Sequence, residues 1–404
     1  STEVQQAQDW LVSQGFTVTA TGTAGTWIRF SGTAAQLQSA FGVSLHNYSV
    51  NSVSGYANTN APVIPSSLSS FVVGIAGLNT VAQGSSSKAL TQAAYAATGW
   101  FAAAEFASLY DVTPLTSAGN TGSKEQIAVV GSEAVSPADI AAYRNAAGLA
   151  ALTLSSSGTL PQTNNTGVAT AELELAGGVA PGAQLIYYAA GSELDAAEIA
   201  TDANASAVLL LSHIGCEAAY SSAEITAYQQ MSQQAAAEGI TVIAPAGDAG
   251  AAACDAGALY ATQGLSVAFP ASLPQVIAVG GTSLNGKTET AESAWNTLND
   301  ASYPAPLVLA GGGGSSSLFA KPAWQASTTS DSVRDVPDIS LVADQMYPVC
   351  VGGSCSNGFA NASGTAYAMQ GTTAASASFA GVVALLAQQA GGTSGRLGNF
   401  APLL

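Results

Sequence analysis

Charge is what this sequence has least of. Only 8% of its 404 residues are charged, and 8 Lys and Arg stand against 25 Asp and Glu, a formal net charge of −17. The basic residues, Arg29, Lys88, Lys124, Arg144, Lys287, Lys321, Arg334 and Arg396, are scattered along the chain. Nucleic acid is thereby excluded as a partner, because phosphate neutralisation needs clustered Lys and Arg. Histidine is scarcer still, with His46 and His213 alone, and the four cysteines form no CxxC pair, so there is no zinc signature. No uninterrupted apolar run reaches the roughly 18 residues of a membrane span, and no membrane partner is expected. The opening "STEVQQAQDWLVSQG" has neither the charged nor the apolar region of a signal peptide, so a secreted reading requires residue 1 to lie downstream of a leader. No repeat with a period of about 20 to 50 residues is found, and the low-complexity tracts are "GSSS" and "AGGGGSSS".

What is present is core material: 48% of residues are hydrophobic, and the length allows two or more domains. A surface of Ser, Thr, Asn, Gln and Gly with few ion pairs loses little when carboxylates are protonated, so the composition suits acid. A secreted protein of low charge, with no acid adaptation, has the same composition. Cys216, Cys254, Cys350 and Cys355 allow three pairings. Cys350 and Cys355 flank "VGGS", a short glycine-rich loop that brings two Cα atoms within bridging range, which leaves Cys216 with Cys254 and implies an oxidising compartment.

The chain divides by pattern. Residues 1–83 read as a small α+β unit: "TEVQQAQDWLVSQG" has Val4, Ala7 and Leu11 at helical spacing with Gly15 as a stop, "FTVTATG", "TWIRFSG" and "SLHNYSV" read as strands, and "TAAQLQSAFGV" as a helix ending at Gly42. The Gly-, Ser- and Ala-rich stretch to about residue 100 has almost no periodicity and reads as an exposed linker open to proteolysis. Beyond it, apolar runs at 126–131, 183–190, 207–212, 240–248 and 276–282 alternate with amphipathic stretches capped by Ser, the rhythm of a mostly parallel sheet covered on both faces. Chemistry in such sheets sits at the carboxyl ends of the strands. "AASASFAGVVALLAQQAGG" is apolar all round and reads as a buried helix.

With His46 in the first unit, His213 is the lone imidazole of the large domain; at the end of "VLLLSH" it reads as structural or surface-lying. Carboxylates must therefore carry any acid or base work. Glu172 and Glu174 in "ATAELELAGGVAPGA" lie two residues apart on a helix, about 200° around its axis, so they cannot both face one site. Asp248 follows an apolar strand in a Gly-rich bend, where a buried carboxyl can stay protonated and donate to a developing oxyanion; a turn or cap residue would look the same. Gly311, Gly312, Gly313 and Gly314 in "AGGGGSSS" lack the Lys-Ser/Thr of a phosphate loop; bare backbone there suits the wall of a peptide groove, and equally a flexible loop.

The ordered blocks "SHIGCE", "ITVIAPAGDAG", "FPASLPQVIAVGGTSL", "ESAWN", "AGGGGSSSLFAKPAWQ", "RDVPDISLVAD" and "GTTAASASFAG" together resemble the catalytic domain of the sedolisins, the serine-carboxyl peptidases. Residues 1–83 resemble the second half of their prodomain, through "SGTAAQLQSAFGVSLHNY" and "VVGIAGLNT". The resemblance implies a subtilisin-like α/β fold with a mostly parallel sheet flanked by helices, preceded by a partial, ferredoxin-like prodomain. It divides the chain into prodomain (1–83), activation linker (84–100) and peptidase domain (101–404). It further implies secretion as a zymogen, a peptide or protein substrate cleaved in acid, and the prodomain as an intramolecular inhibitor. The cysteines of bacterial members support the 216–254 bridge. The chain begins midway through the prodomain pattern and ends before the segment in which the family binds calcium, so no cofactor is expected within residues 1–404 and calcium is implied beyond them.

The resemblance also implies a catalytic set, carried over by aligning "ELELAGGVAPGA" and "GTTAASASFAG". Asp248 stands at the oxyanion position. Thr373 stands where the family has serine, Glu172 where its helix has Asp, and Val168 where it has the general-base Glu. A valine cannot accept a proton, and losing one member of a nucleophile–base unit costs about four to six orders of magnitude in rate. Three readings follow. The first is a secreted, acid-adapted peptidase homologue that has lost activity but keeps its peptide groove. The second is a weak acid endopeptidase using Thr373 with Glu172 and Asp248. The third is a structural secreted domain. Ser376, one turn after Thr373, would have to act from a helix face turned into the core.

Overall fold

The computed structural model describes residues 1–50, 53–80, 90–94, 100–158, 167–258, 260–284, 292–297, 309–326, 329–391 and 395–404. The chain forms two compact units, Ser1–Gly84 with Ala218–Met231, and Ser85–Glu217 with Ser232–Leu404.

In the smaller unit, helix α1 (Thr2–Ser13) leads to strands β1 (Thr17–Thr21) and β2 (Ile28–Ser31), helix α2 (Ala34–Phe41), and strands β3 (Leu45–Val50) and β4 (Val53–Asn58). β1 pairs with β2 and β3 with β4, both antiparallel. Thr33 and Gln36 close a capping box at the start of α2, and Gly42 ends that helix at φ 64°, a left-handed turn that glycine adopts without strain. Leu11, Phe16, Phe41, Val43 and Leu78 make the core of this unit.

The larger unit opens with strand β5 (Leu90–Ala94) and helices α3 (Ala103–Leu109) and α4 (Thr113–Ser117). Strand β6 (Gln126–Gly131), helix α5 (Pro137–Ala146), strand β7 (Ser155–Gly158), helix α6 (Val168–Val179), strand β8 (Gln184–Ala189), helix α7 (Glu193–Ala203), and strands β9 (Val208–Leu211) and β10 (Gly215–Cys216) follow. Helix α8 (Ser222–Ala237) belongs to the smaller unit as far as Met231; the strands of the larger unit resume with β11 (Thr241–Pro245), β12 (Ala268–Phe269), β13 (Val276–Leu284), β14 (Glu292–Ala294), β15 (Gly314–Ala320), β16 (Val333–Val336), β17 (Ile339–Val342), β18 (Tyr347–Val349) and β19 (Thr365–Met369). Helix α9 (Thr372–Ala390) is the last of the long helices. The main sheet has the order β14-β13-β11-β9-β6-β8-β7, with β17 also on β13. All its pairings are parallel except β13–β14. The apolar runs of the sequence are these strands: every residue of β9 and β11 is buried, as continuous Val, Leu and Ile runs require when both faces of a sheet are covered.

The chain starts this sheet at β6, passes to β7 at the edge, returns to β8 beside β6, and then crosses to β9 on the other side of β6, so the direction of winding reverses beside β6. A crevice opens at the carboxyl ends of strands at such a point. Helices α6 and α9 pack together and on the sheet. A Cβ at Gly381 would lie 2.7 Å from the Ala176 carbonyl oxygen, so glycine is what permits that approach. α9 is long and apolar enough to cross a membrane by length and composition, but 72% of its apolar window is buried inside the fold. It is the buried helix that its all-round apolar pattern implies.

Part of the stretch read as an exposed linker is a strand. Leu90–Ala94 pairs antiparallel with β19, which pairs with β18. Residues 81–89 and 95–99 of that stretch lie outside the described residues. No pattern of residues announced the strand, because its ladder is made by backbone groups under side chains with little apolar content. Both disulfides have the expected pairing, Cys216–Cys254 and Cys350–Cys355.

Candidate functional site

Helix α9 starts at a turn built around a glycine. Gly371 has φ 89°, and a Cβ there would sit 2.6 Å from Asp248 Oδ2. That close approach lets Asp248, in the loop after β11, reach the helix start. Its Oδ1 accepts from the Thr372 N–H at 2.8 Å and from the Thr372 hydroxyl at 2.9 Å, while the Gly247 N–H donates to Thr372 Oγ1 at 3.1 Å. Asp248 is 7% exposed, and burial raises its carboxyl above the usual range, against the lowering effect of the two Thr372 bonds. It thus caps α9, and Oδ2 makes no hydrogen bond among the described residues.

Thr373, the next residue, is 0% exposed, and its hydroxyl has no hydrogen-bond partner among the described residues. It therefore makes no hydrogen bond to a carboxylate among them. Ser376 is also fully buried and donates back to the Thr372 carbonyl at 2.6 Å, the helix-internal bond typical of a serine facing a core.

α6 starts at Gly167, which has φ 81°. Val168 is half-buried and packs against the main core. One turn later Glu172 is 0% exposed. Its Oε2 accepts from the Ser212 hydroxyl at 2.5 Å, and its Oε1 has no partner among the described residues. Burial raises its carboxyl well above the usual 4.5, the Ser212 bond offsets part of this, and the nearby Glu133 and Glu193 raise it further. Glu174 is buried on another side of the helix, where its Oε2 accepts from the Cys350 N–H at 2.7 Å; burial raises it well above the usual value too. The two glutamates face different surroundings, as their spacing requires.

Two residues that the sequence did not single out belong to this region. Ser212, at the end of β9, donates to Glu172. Glu133, in the loop after β6, accepts from the Ala169 N–H in the first turn of α6 at 2.5 Å. Ser212 is the last residue of the predicted strand 207–212 and Glu133 lies two residues past the predicted strand 126–131, positions that do not by themselves place either beside α6. His213 donates its backbone N–H to Glu193 at 2.6 Å, and burial pushes its imidazole down to about 4, which suits a neutral structural histidine.

The four glycines have a local reason to be glycine. A Cβ at Gly312 would meet the Ala246 carbonyl oxygen at 1.9 Å, one at Gly311 the Gly281 carbonyl oxygen at 2.7 Å, and one at Gly313 the Val336 carbonyl oxygen at 3.0 Å. The Gly312 N–H donates to the Gly247 carbonyl at 2.6 Å and the Gly313 N–H to the Gly250 carbonyl at 3.4 Å, so this segment lies against the Asp248 loop. The backbone at Gly311, Gly312 and Gly313 is thus packed on those sides against the chain's own loops and strands. Gly314 is exposed and begins β15, which pairs with β16 alone among the described strands. Buried Glu217, another residue missed in the sequence, holds β15 by accepting from Ser316 Oγ at 2.5 Å and from the Ser317 N–H and Oγ at 2.8 Å each.

Among the described residues, no group of three or more His, Cys, Asp and Glu is arranged to hold a metal.

Residues 1–81 match the activation domain of pro-kumamolisin and residues 147–396 match the subtilase family. Sedolisin of Pseudomonas sp. (strain 101) is 31% identical over 344 residues, which cover 79% of this chain and 58% of that protein. Kumamolisin of Bacillus sp. (strain MN-32) is 31% identical over 245 residues, covering 56% of this chain and 40% of its own. The chain spans about half the length of the curated relatives it matches. Among solved structures, Pseudomonas sedolisin complexed with two molecules of pseudo-iodotyrostatin superposes with a TM-score of 0.61 at 26% identity, covering 74% of this chain and 83% of that one.

Proposed function

Because the chain belongs to the subtilase family, with a pro-kumamolisin activation domain ahead of the family region, we propose that it is a secreted, acid-adapted sedolisin-type homologue that binds peptide segments without cleaving them. The observation that carries this reading is the isolation of Thr373. A hydroxyl becomes a nucleophile when a base takes its proton, and the Thr373 hydroxyl is buried with no partner among the described residues, while the family-position carboxyl, Glu172, is bonded to Ser212. Thr373 also adds a methyl where a tetrahedral intermediate would form. The alternative of a Thr373–Glu172 device lacks the hydrogen bond it needs.

Peptide binding is supported by β15, whose second edge lies outside any ladder among the described strands and which follows the glycine segment beside Asp248. An extended peptide adds to such an edge through main-chain hydrogen bonds. The sedolisin complexed with pseudo-iodotyrostatin shares this fold. In this reading residues 84–100 remain the activation linker and residues 1–83 the inhibitory prodomain. Acid adaptation is supported by the buried carboxyls of Glu172, Glu174 and Asp248, which all favour the protonated form.

The test is fluorescence anisotropy of labelled, unstructured peptides at roughly pH 4, with the peptides then weighed by mass spectrometry. Saturable binding with intact peptide is expected. Cleaved peptide, or no binding across a diverse peptide set, would overturn the reading.

A further inference from the structure

Thr373 has no proton acceptor, whereas Ser212 has one. Ser212 follows β9 at the carboxyl end of the main sheet, beside β6, where the winding reverses. It is half-buried, in contrast to the wholly buried Thr373. Its Oγ donates to Glu172 Oε2 at 2.5 Å, lies 3.4 Å from the Val130 carbonyl oxygen of β6, and receives no hydrogen bond among the described residues. Its backbone is fixed, because its N–H donates to Glu193 at 2.8 Å. We propose that Ser212 and Glu172 form a nucleophile–base pair, and that Ser212 accepts the acyl group of small activated esters. This inference goes beyond peptide binding and does not rest on it.

A serine oxygen attacks when its lone pairs are open and its proton has an acceptor. Ser316, which also donates to a buried glutamate, fails the first condition. It is 3% exposed, and its oxygen already accepts from the Leu318 and Phe319 N–H groups at 3.0 and 3.1 Å. Ser212 meets both conditions. Glu172 is wholly buried with Oε1 unpartnered among the described residues, so its charged form is penalised and, once ionised, draws a proton strongly. The other ionisable groups around the pair are Glu133 in the loop after β6, Glu193 at the start of α7, Tyr187 on β8, and His213 next to Ser212 in the chain. Glu133 and Glu193 add to the penalty. In the step, the bond from Ser212 Oγ to the acyl carbon forms, the ester C–O bond breaks, the Oγ proton passes to Glu172 Oε2, and the alcohol portion leaves as its anion. The ester class follows from what is missing. The N–H groups of Ser212 and His213 both donate to Glu193 Oε2, at 2.8 and 2.6 Å, so neither is left to hold an oxyanion. An amide needs that support and a proton for its leaving amine, whereas an aryl ester has a leaving group stable as the anion.

The experiment treats the full chain with p-nitrophenyl acetate at roughly pH 8 and locates acetyl groups by peptide mass mapping after timed quenches. Acetylation is expected on Ser212, and it should be slower by about two to four orders of magnitude in Glu172→Gln. That variant's amide oxygen still accepts the Ser212 hydroxyl, so its thermal midpoint in acid should match the wild type. The wild-type rate at Ser212 should rise with pH and then level off as Glu172 becomes ionised. The inference is overturned if the acetyl groups fall on lysine, His213 or Thr373 and spare Ser212, or if Glu172→Gln is acetylated at Ser212 as fast as the wild type. Should that variant fail to fold, a wild-type rate that climbs in proportion to hydroxide without levelling off would overturn it as well. Peptide cleavage by the wild-type chain would overturn the functional reading and leave this acetylation unchanged, so the two fail separately.

Discussion

At the start of α9 a carboxylate, a threonine hydroxyl and a left-handed glycine are locked together, with Asp248 on Thr372 and against Gly371. At the start of α6 the glycine turn is also present, but the helix's own first carboxyl position is Val168 and the carboxylate arrives from the loop after β6. The α9 arrangement is a capping geometry, satisfied by backbone and one aspartate whether or not the next residue reacts. In the reading proposed above, an α6 arrangement needs two carboxyl side chains one turn apart, and Val168 leaves the helix intact while supplying none. A helix start can then outlast chemistry built on it, because capping is a stability requirement and a proton acceptor is not.

The largest expected effect tests that contrast by restoring the α6 side. Val168→Glu, Glu172→Asp and Thr373→Ser together should raise peptide hydrolysis at roughly pH 3 to 4 by about four to six orders of magnitude over the wild type. No gain would place the obstacle outside these three positions. Next, the two glycine turns should differ in what they tolerate. Gly371→Ala forces a Cβ onto Asp248 at 2.6 Å and should cost about 2–4 kcal/mol. Gly167→Ala meets the movable Val351 side chain at 2.5 Å and should cost about 1–2 kcal/mol. Denaturant midpoints measure both, and equal costs would remove the distinction.

The pH dependence of stability is a smaller effect with a definite sign. Glu172, Glu174 and Asp248 have carboxyls raised in the folded chain above their ordinary 4.5 and 3.8, chiefly by burial. The folded state therefore holds protons that the unfolded chain releases. Stability is full below those ordinary values and falls as pH rises from them through the raised ones. His213 opposes this. Lowered from 6.5 to about 4, it withdraws stability as pH falls across that interval. With three carboxyls against one imidazole, the thermal midpoint should be higher near pH 4 than near pH 8. Glu174→Gln, which keeps an acceptor for the Cys350 N–H, should raise the midpoint at the higher pH and leave it alone at the lower. Smallest of all, Ser376→Ala removes only a bond to a helix carbonyl and should change stability by less than about 1 kcal/mol.

The main sheet was legible because its strands are covered on both faces, so continuous apolar runs at 126–131 and 207–212 announced β6 and β9 within a residue. β5, β15 and β19 left no such trace, since their pairing is backbone work in small sheets apart from the main one. Within the site, Asp248 could be found from its place after β11, and the divergence of Glu172 and Glu174 from helix geometry alone. Ser212, Glu133 and Glu217 could not. Ser212 and Glu133 become neighbours of α6 only through the reversal of winding at β6, and Glu217 meets Ser316 across 99 positions of sequence. The glycine run was visible, but that Gly312 and Gly313 sit against the Asp248 loop depends on backbone bonds that no residue pattern records.

The most direct measurement holds the unmodified chain at roughly pH 3 to 4 and follows residues 84–100 by mass spectrometry, beside Thr373→Ala. The account predicts that both chains keep this segment uncut for as long as the triple reversion takes to process its own. Cleavage there by the unmodified chain, abolished by Thr373→Ala, would show that the isolated hydroxyl reacts after all and would contradict it.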